Sequence, residues 1–287
     1  MKTYKIYIGG KFPRTESGRY YQPKYKGEKL GNICLSSRKD FRNSVVAARG
    51  AFESWQAKTA FNRSQIIYRI AEIIEGRKEQ FIEEIVKQGE SKSNAEKEIY
   101  TSIDRLVYFA GWCDKINQVF GSVNPVATSH FNFSALEPMG TVVIVAPSSS
   151  SLLGLISCII PVILSGNTCV VLAAENKPLC AITLAEVLST SDVPGGVVNI
   201  LTGKKSEIIE HAGKHKDVNA IYYADSDVKE LETLRVLAID NLKRIIKINN
   251  DDLFSEDVNN PYIISNFMET KTTWHPIENI SETGAGY

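Results

Sequence analysis

The chain has 287 residues, of which 43% are hydrophobic and 23% are charged. This length and composition suit a globular protein with one large domain or two ordinary ones. Thirty-three basic residues balance 33 acidic residues, so the summed charge gives no reason to expect binding to nucleic acid or to an anionic membrane surface.

The first residues alternate polar and apolar types and lack the continuous apolar core of a signal peptide. The most apolar stretch, Leu152 to Leu164, is too short to span a bilayer and contains Pro161. Five cysteines are widely spaced and mostly lie in apolar runs, as reduced core thiols do. We therefore expect a cytoplasmic protein without a membrane segment.

Histidines give little reason to expect a metal. His211 and His215 have helical spacing, but a solvated helix face explains such a pair better than half of a metal site does. No metal ion is expected.

The hydrophobic pattern divides the chain into three parts. Residues 1–25 alternate like a hairpin that turns at Gly9 and Gly10. From Ser37 to Ile116 apolar residues recur at three- and four-residue steps, which predicts amphipathic helices. Short apolar strands then alternate with helical stretches, as in a doubly wound parallel sheet. The predicted strands are Thr141–Ala146, Thr168–Leu172, Val197–Leu201, Ala220–Tyr223 and Arg244–Ile248.

Several motifs resemble those of aldehyde dehydrogenases, and they occur in family order over residues 1 to roughly 250. The motifs are Ala47–Phe52 with Trp55 and Arg63, Ala110–Lys115, Glu137–Val142, Pro161–Val171 and Pro194–Gly203. The predicted fold class is accordingly α/β, with an N-terminal helical region and a Rossmann-like doubly wound parallel sheet of about five strands. The resemblance implies that residues 26–260 form the NAD-binding-type domain of that family.

The two ends of the chain resemble the ends of the family's fold. Phe267–Trp274 is similar to a C-terminal strand that joins an N-terminal hairpin in an oligomerisation ribbon. The resemblance therefore implies an oligomerisation hairpin at 1–25 and an oligomerisation strand at 261–287, which together form a β-ribbon. The implied interface residues are Tyr4, Ile6, Ile8, Phe267, Glu269, Lys271, Thr273 and Trp274.

Where the family has a second α/β domain with its cysteine nucleophile, this sequence has a polar linker after Ile248, which implies an internal deletion. No cysteine follows Cys180, and Ile246–Asn250 stands where the family has its general base. Ser149 stands at the position of the asparagine that holds the oxyanion. A serine hydroxyl can donate one hydrogen bond, but the four serines before an apolar helix equally suit a loop and helix cap. We expect no catalytic residue.

The implied cofactor pocket is degenerate. Leu172 stands at the position of the lysine that reaches the adenine ribose, although Glu175 is kept. The glycine-containing motif that receives the pyrophosphate is replaced by Ala224–Lys229, and the Asp225 carboxylate would repel a phosphate. We expect Asp225 and Asp227 to occupy the anion site themselves. The remaining pocket would comprise Ser148, Ser149, Glu175, Gly203 and Asp225, and would bind NAD or NADP weakly, if at all.

Two functions follow from these observations. The first is a non-catalytic subunit, or pseudoenzyme, that forms a homo-oligomer or a hetero-oligomer with a full-length aldehyde dehydrogenase. The second is an NAD(P)-dependent aldehyde oxidoreductase whose site is degenerate or completed by a partner. A decayed gene product without a selected role is a third reading, against which the orderly C-terminal motif argues.

Overall fold

The computed structural model describes residues 1–247 and 252–277. The helices are α1 (Arg38–Gln56), α2 (Ala60–Gly76), α3 (Lys78–Lys87), α4 (Lys92–Ala110), α5 (Ile116–Phe120), α6 (Leu153–Leu164), α7 (Leu179–Thr190), α8 (Ile209–Lys214), α9 (Val228–Leu237) and α10 (Tyr262–Ser265). The strands are β1 (Thr3–Tyr4), β2 (Tyr20–Tyr21), β3 (Lys24–Tyr25), β4 (Glu28–Lys29), β5 (Asn32–Cys34), β6 (Ser122–Asn124), β7 (His130–Pro138), β8 (Thr141–Val145), β9 (Thr168–Leu172), β10 (Val198–Leu201), β11 (Ala220–Tyr223), β12 (Arg244–Ile246) and β13 (Met268–Pro276).

The centre of the molecule is a five-stranded parallel sheet in the order β10-β9-β8-β11-β12. Helices cover both faces of such a sheet, so its strands are continuously apolar rather than alternating. Each residue of β8, β9, β10 and β11 is buried. The predicted sheet is confirmed; Ile248, the last residue of the predicted fifth strand, lies outside the described residues.

Two layers of helices enclose this sheet. Helices α1, α8 and α9 pack on one face, where Val143, Val145 and Val170 contact them. Helices α6 and α7 pack on the other face, and α2, α3 and α4 lie behind them. From β8 the chain passes through α6 to β9, which lies on one side of β8, whereas β11 lies on the other side. The topological switch point of the sheet is therefore at β8.

The N-terminal helices begin where the sequence supplies caps. Ser37 and Asp40 form a reciprocal capping box at the start of α1, and Thr59 and Ser91 cap α2 and α4. The predicted helical region is confirmed. The indole of Trp55 donates to the Ile163 carbonyl oxygen at 2.9 Å, which attaches α1 to the end of α6.

The segment before the helices belongs to the main body of the protein. Tyr7 and Ile200 exchange two backbone hydrogen bonds of 2.9 and 2.8 Å, which extends the edge of the central sheet. Tyr4 and Ile6 are buried, whereas Ile8 is half-buried and pairs with Lys11 across the predicted turn. Tyr4 and Ile6 therefore cannot serve as the interface residues that the sequence suggested, because this chain already covers them.

The C-terminal strand also differs from the expectation in its partner. β13 pairs antiparallel with β7 along its whole length, from Met268 opposite Pro138 to Pro276 opposite His130, and β6 pairs with the other side of β7. No described residue of 1–25 joins this sheet. The predicted ribbon of both termini is thus replaced by the sheet β6-β7-β13. Phe267, another predicted interface residue, is buried beside Tyr222.

Within the described ranges no helix is both long and apolar enough to cross a membrane.

Lys243 predicts a measurable dependence of stability on pH. Its buried ammonium donates to the carbonyl oxygens of Ala212, Gly213 and His215 at 3.0, 2.7 and 3.0 Å, and burial lowers its pKa to about 8. An unfolded lysine has a pKa of roughly 10.4. Between these two pH values the unfolded chain binds more protons than the folded chain, so this group makes stability rise with pH through that window.

Urea unfolding at pH 7.5 and pH 9.5 would measure this effect against Lys243→Met, which lacks the titrating group. We expect the free energy of unfolding of the wild type to increase relative to that of the variant at the higher pH. A wild-type minus variant difference that stays constant over this range would contradict the assignment.

Candidate functional site

The carboxyl ends of β8, β9 and β11 open onto one crevice, the place where doubly wound sheets bind ligands. Residues 146–152 lead from β8 into α6, and residues 224–227 lead from β11 into α9. The Ser148 hydroxyl donates to Asp225 Oδ2 at 2.9 Å, and the Ser148 backbone N–H donates to Asp225 Oδ1 at 3.4 Å. The fold therefore brings these two predicted pocket residues into direct contact.

The Asp225 carboxylate is buried and forms an ion pair with Lys205, which lies in the 3-10 helix Lys205–Glu207 after β10. The Lys205 ammonium also lies 3.8 Å from Glu230, whose carboxylate accepts a hydrogen bond of 2.8 Å from Tyr223. Lys247 donates to the Asp225 carbonyl oxygen at 2.6 Å. A buried carboxylate is costly unless it is paired and hydrogen-bonded, and this cluster meets both needs within the chain.

The start of α9 is capped by Asp227. Its carboxylate accepts from the backbone N–H groups of Lys229 and Glu230 at 2.9 and 3.2 Å. The expectation that an acid of this loop satisfies the helix end is confirmed for Asp227. Asp225 differs, because it faces Ser148 and Lys205 instead of the first N–H groups of α9.

The start of α6 is satisfied by Glu98, a buried residue of α4. One of its carboxylate oxygens accepts from the Ser150 hydroxyl at 2.8 Å and from the N–H groups of Ser151, Leu152 and Leu153 at 3.1, 2.7 and 3.0 Å. A negative charge is favourable at the positive end of a helix, and its hydrogen bonds are charge-assisted. Both helix ends at the crevice thus hold a carboxylate from this chain.

Glu98 could not be identified from the sequence pattern. The residue lies in a helix rich in lysine and glutamate, where the neighbouring charges are the half-buried Glu96 and the exposed Lys97. Only the approach of α4 to a loop more than fifty residues later gives it a role. A local pattern contains no sign of this contact.

Ser149 points away from these bonds. Its side chain is exposed, and its carbonyl oxygen accepts from Lys177 at 3.0 Å. Ser149 and Ser150 line a cavity of about 280 Å³ together with Lys97 and Phe254, and the Lys97 ammonium lies 4.4 Å from the centre of the Phe254 ring. The segment after β12 therefore lies beside the serine loop and forms one wall of this cavity.

Arg105 anchors residues 252–259 to the helices. This buried guanidinium donates to the Leu253 carbonyl oxygen at 2.9 Å, to Asn259 Oδ1 at 3.2 Å and to the Ser157 hydroxyl at 2.6 Å. Burial lowers its pKa, against the opposing influence of Glu256. Its contacts hold residues 252–259 against α4 and α6 and involve no reactive group.

The other predicted pocket residues have structural contacts. Glu175 is half-buried, and its backbone oxygen accepts from the Tyr21 hydroxyl at 3.1 Å. Gly203 has a φ of +137°, and a Cβ there would lie 2.9 Å from the Ser36 backbone nitrogen. Its glycine is explained by this close approach of two backbones. Leu172 is buried at the end of β9.

The thiols of the protein are all buried. Burial raises the pKa of Cys113 and of Cys158 to about 12, and it also raises the pKa values of Cys169 and Cys180. Thiols in this state are protonated near neutral pH and are poor nucleophiles. Among residues 1–247 and 252–277 there is also no cluster of three or more potential metal ligands.

Residues 13–245 match the model of the aldehyde dehydrogenase family. This chain belongs to that family. It is 31% identical over 252 residues to the cytosolic 10-formyltetrahydrofolate dehydrogenase of Xenopus tropicalis, an alignment that covers 84% of this chain and 28% of the relative. The human cytosolic 10-formyltetrahydrofolate dehydrogenase is 30% identical over the same shares of the two chains.

Solved aldehyde dehydrogenases have the same fold. The Bacillus cereus enzyme in complex with NAD⁺ superposes with a TM-score of 0.82 at 24% identity, over 86% of this chain and 50% of that chain. The structure of PnpE in complex with nicotinamide adenine dinucleotide gives a TM-score of 0.81 at 26% identity, over 85% and 50%. The chain therefore spans about a quarter of the curated relatives above and about half of these solved chains.

The crevice of this aldehyde dehydrogenase family member does not fit a nicotinamide dinucleotide. The Asp227 carboxylate occupies the first N–H groups of α9, which the family resemblance assigns to the pyrophosphate. The buried Asp225 carboxylate of the same loop would repel a phosphate there. The apolar, buried Leu172 offers no hydrogen bond to a ribose.

Proposed function

We propose that this chain is a non-catalytic subunit of the aldehyde dehydrogenase family, which assembles through the sheet β6-β7-β13 with a second copy or with an active family member. The observation that carries the proposal is a contrast between two regions. The sheet is regular over the nine residues of β13, whereas the charges of the crevice are satisfied within the chain.

The sheet offers an edge to a partner. In the order β13-β7-β6, β13 has a neighbour on one side only within the described residues. An edge strand carries unpaired backbone groups that a strand from another chain can complete. Glu269, Lys271, Thr273 and Trp274, which the sequence suggested as interface residues, lie on this strand, and Trp274 is 55% exposed.

The sheet also offers an apolar face. Val123 and Phe131 are 68% and 46% exposed, and with Phe133 they line a shallow depression of about 480 Å³. Exposed apolar clusters of this kind are typical of surfaces that another protein covers. Thr273 and His275 of β13 pair with Phe133 and Phe131 and share this face with them, so one partner would contact both the edge and the face.

The chemistry of the rest of the chain supports a role without catalysis. Glu98 and Asp227 cap the helix ends at the crevice, and Asp225 is neutralised by Lys205. All five thiols are buried, and burial raises the pKa of Cys113, Cys158, Cys169 and Cys180, which makes these four poor nucleophiles. Free cysteines also support the proposal that the protein resides in a reducing compartment such as the cytoplasm.

Light scattering after size-exclusion chromatography tests the assembly. We expect the wild type to have a mass at least twice that of the 31.9 kDa chain, and the variant Phe131→Lys/Trp274→Lys to have the mass of one chain, because lysines at an apolar contact are costly to desolvate.

The matched control is Val46→Lys/Phe61→Lys, which changes two apolar residues of α1 and α2 that are 64% and 67% exposed. The control should keep the wild-type mass. A wild type that remains a single chain, both alone and when co-expressed with a full-length aldehyde dehydrogenase, contradicts the proposal, as does an equal loss of assembly in both variants.

A further inference from the structure

A second cleft lies between the start of α1 and the end of α8, apart from the crevice. Its volume is about 440 Å³, which is within the range of small-molecule sites. We call it the basic cleft, because Arg38, Arg42, Lys214 and Lys216 line it, with Glu210 and Asp217 as its carboxylates.

Among the described residues, the positive charge that lines the basic cleft is not balanced. Lys214 is paired with Glu210 one helical turn away, which lowers the pKa of that carboxyl. This leaves two guanidinium groups and the Lys216 ammonium against Asp217 alone. Arg38 and Arg42 make no ion pair or side-chain hydrogen bond with any described residue.

The two arginines are arranged to act on one ligand. They are four residues apart on α1, so their side chains lie on the same face of the helix. A guanidinium presents a planar fork of donors that matches two oxygens of a phosphate. Two such forks beside each other can hold a dianion that a single exposed arginine would bind only weakly.

The wall of the cleft opposite α1 is the C-terminal end of α8, and its partial negative charge is offset by a lysine. The last carbonyl groups of α8 would carry partial negative charge. The Lys243 ammonium donates hydrogen bonds to them at 2.7 to 3.0 Å and offsets that charge. The His215 ring packs edge-on against Phe41, with 5.9 Å between ring centres. Its Nδ1 accepts from the Asp217 backbone N–H at 3.3 Å, so the neutral ring carries its hydrogen on Nε2 and can donate from there.

We propose that the basic cleft binds a small molecule carrying a phosphate or diphosphate group. Arg38 and Arg42 would hold the phosphate oxygens, and Lys216 would add charge at the rim. The volume leaves room for an attached organic group, since it exceeds what a bare phosphate fills. This site is separate from the degenerate dinucleotide crevice and from the sheet β6-β7-β13, so its existence does not depend on the proposed function.

Calorimetric titration of the whole chain with sodium pyrophosphate tests this site. We expect saturable binding to the wild type and at least tenfold weaker binding to Arg38→Ala/Arg42→Ala. Removing the negative rim charge in Asp217→Asn should tighten binding about two- to fivefold, because the local repulsion is lost.

Two controls locate the binding. Arg49→Ala/Arg69→Ala removes the same net charge from exposed positions on α1 and α2, and Ser148→Ala alters the crevice; both should bind within twofold of the wild type. Absence of saturable binding at millimolar pyrophosphate would overturn the proposal. Equal weakening in both double variants would indicate attraction by net charge alone, and weakening confined to Ser148→Ala would place the anion in the crevice; either result also overturns it.

Discussion

Glu98→Ala is expected to lower the free energy of unfolding by about 4 kcal/mol, because it leaves several buried donors without an acceptor. The carboxylate is buried and receives one hydroxyl and three backbone N–H groups at the start of α6. Glu98→Gln keeps an oxygen acceptor but loses the charge, so a smaller loss of about 2 kcal/mol is expected. Urea unfolding followed by circular dichroism measures both losses.

Glu96→Ala provides the control on the same helix. Glu96 is more exposed, and its ion pair with Lys92 spans 3.8 Å over one turn, an arrangement worth at most about 0.5 kcal/mol. If Glu98→Ala is no more destabilised than Glu96→Ala, then Glu98 does not satisfy the start of α6 in solution.

Asp225→Ser is expected to lower the free energy of unfolding by about 3 kcal/mol, because Lys205 is then buried with only Glu230 nearby. The double variant Asp225→Ser/Lys205→Met removes both charges and should recover most of that loss. A double-mutant cycle in urea therefore yields a coupling energy of about 2 kcal/mol or more. Additive effects of the two substitutions would mean that the pair is not a buried ion pair.

The same substitution tests why the crevice does not fit a dinucleotide. We expect no saturable NAD binding to the wild type below millimolar concentration, and at least tenfold tighter binding to Asp225→Ser, because a charge next to the phosphates is removed. The matched variant Asp240→Ser removes an exposed acid from the 3-10 helix Ile239–Asn241 and should leave binding unchanged. Micromolar binding of NAD to the wild type would contradict the conclusion that the Asp225 carboxylate opposes binding of the phosphates.

Much of the fold could be predicted because its signals are local. β9 is a continuous apolar run, and α1 begins directly after Ser37, a residue that caps helices. Asp227 could likewise be anticipated, since an aspartate before a helical stretch is a common cap. The role of Asp225 could be inferred only from the family resemblance. Its local sequence pattern is ordinary, and only its position in the phosphate-binding motif of the family indicates that it would repel a phosphate.

The predictions from sequence were wrong or incomplete where a segment distant in the chain determines the burial or the strand pairing of a residue. Tyr4 and Ile6 alternate with Lys5 as a strand should, but the sequence does not say whether a partner or the chain's own core covers the apolar side. β7 was not predicted at all, because its pairing with β13 joins residues more than a hundred positions apart. Glu98 escaped for the same reason.

The pairing of β13 with β7 also affects how copies of this chain can combine. The nine matched positions from Met268 to Pro276 are the same in every copy, so β13 of one molecule has the complementary register for β7 of another. Within one molecule the connecting chain keeps β13 at an effective local concentration that is typically about millimolar. Intramolecular closure therefore prevails in dilute solution, while crowded or highly expressed chains gain a route to domain-swapped pairs in which each molecule completes the sheet of its neighbour.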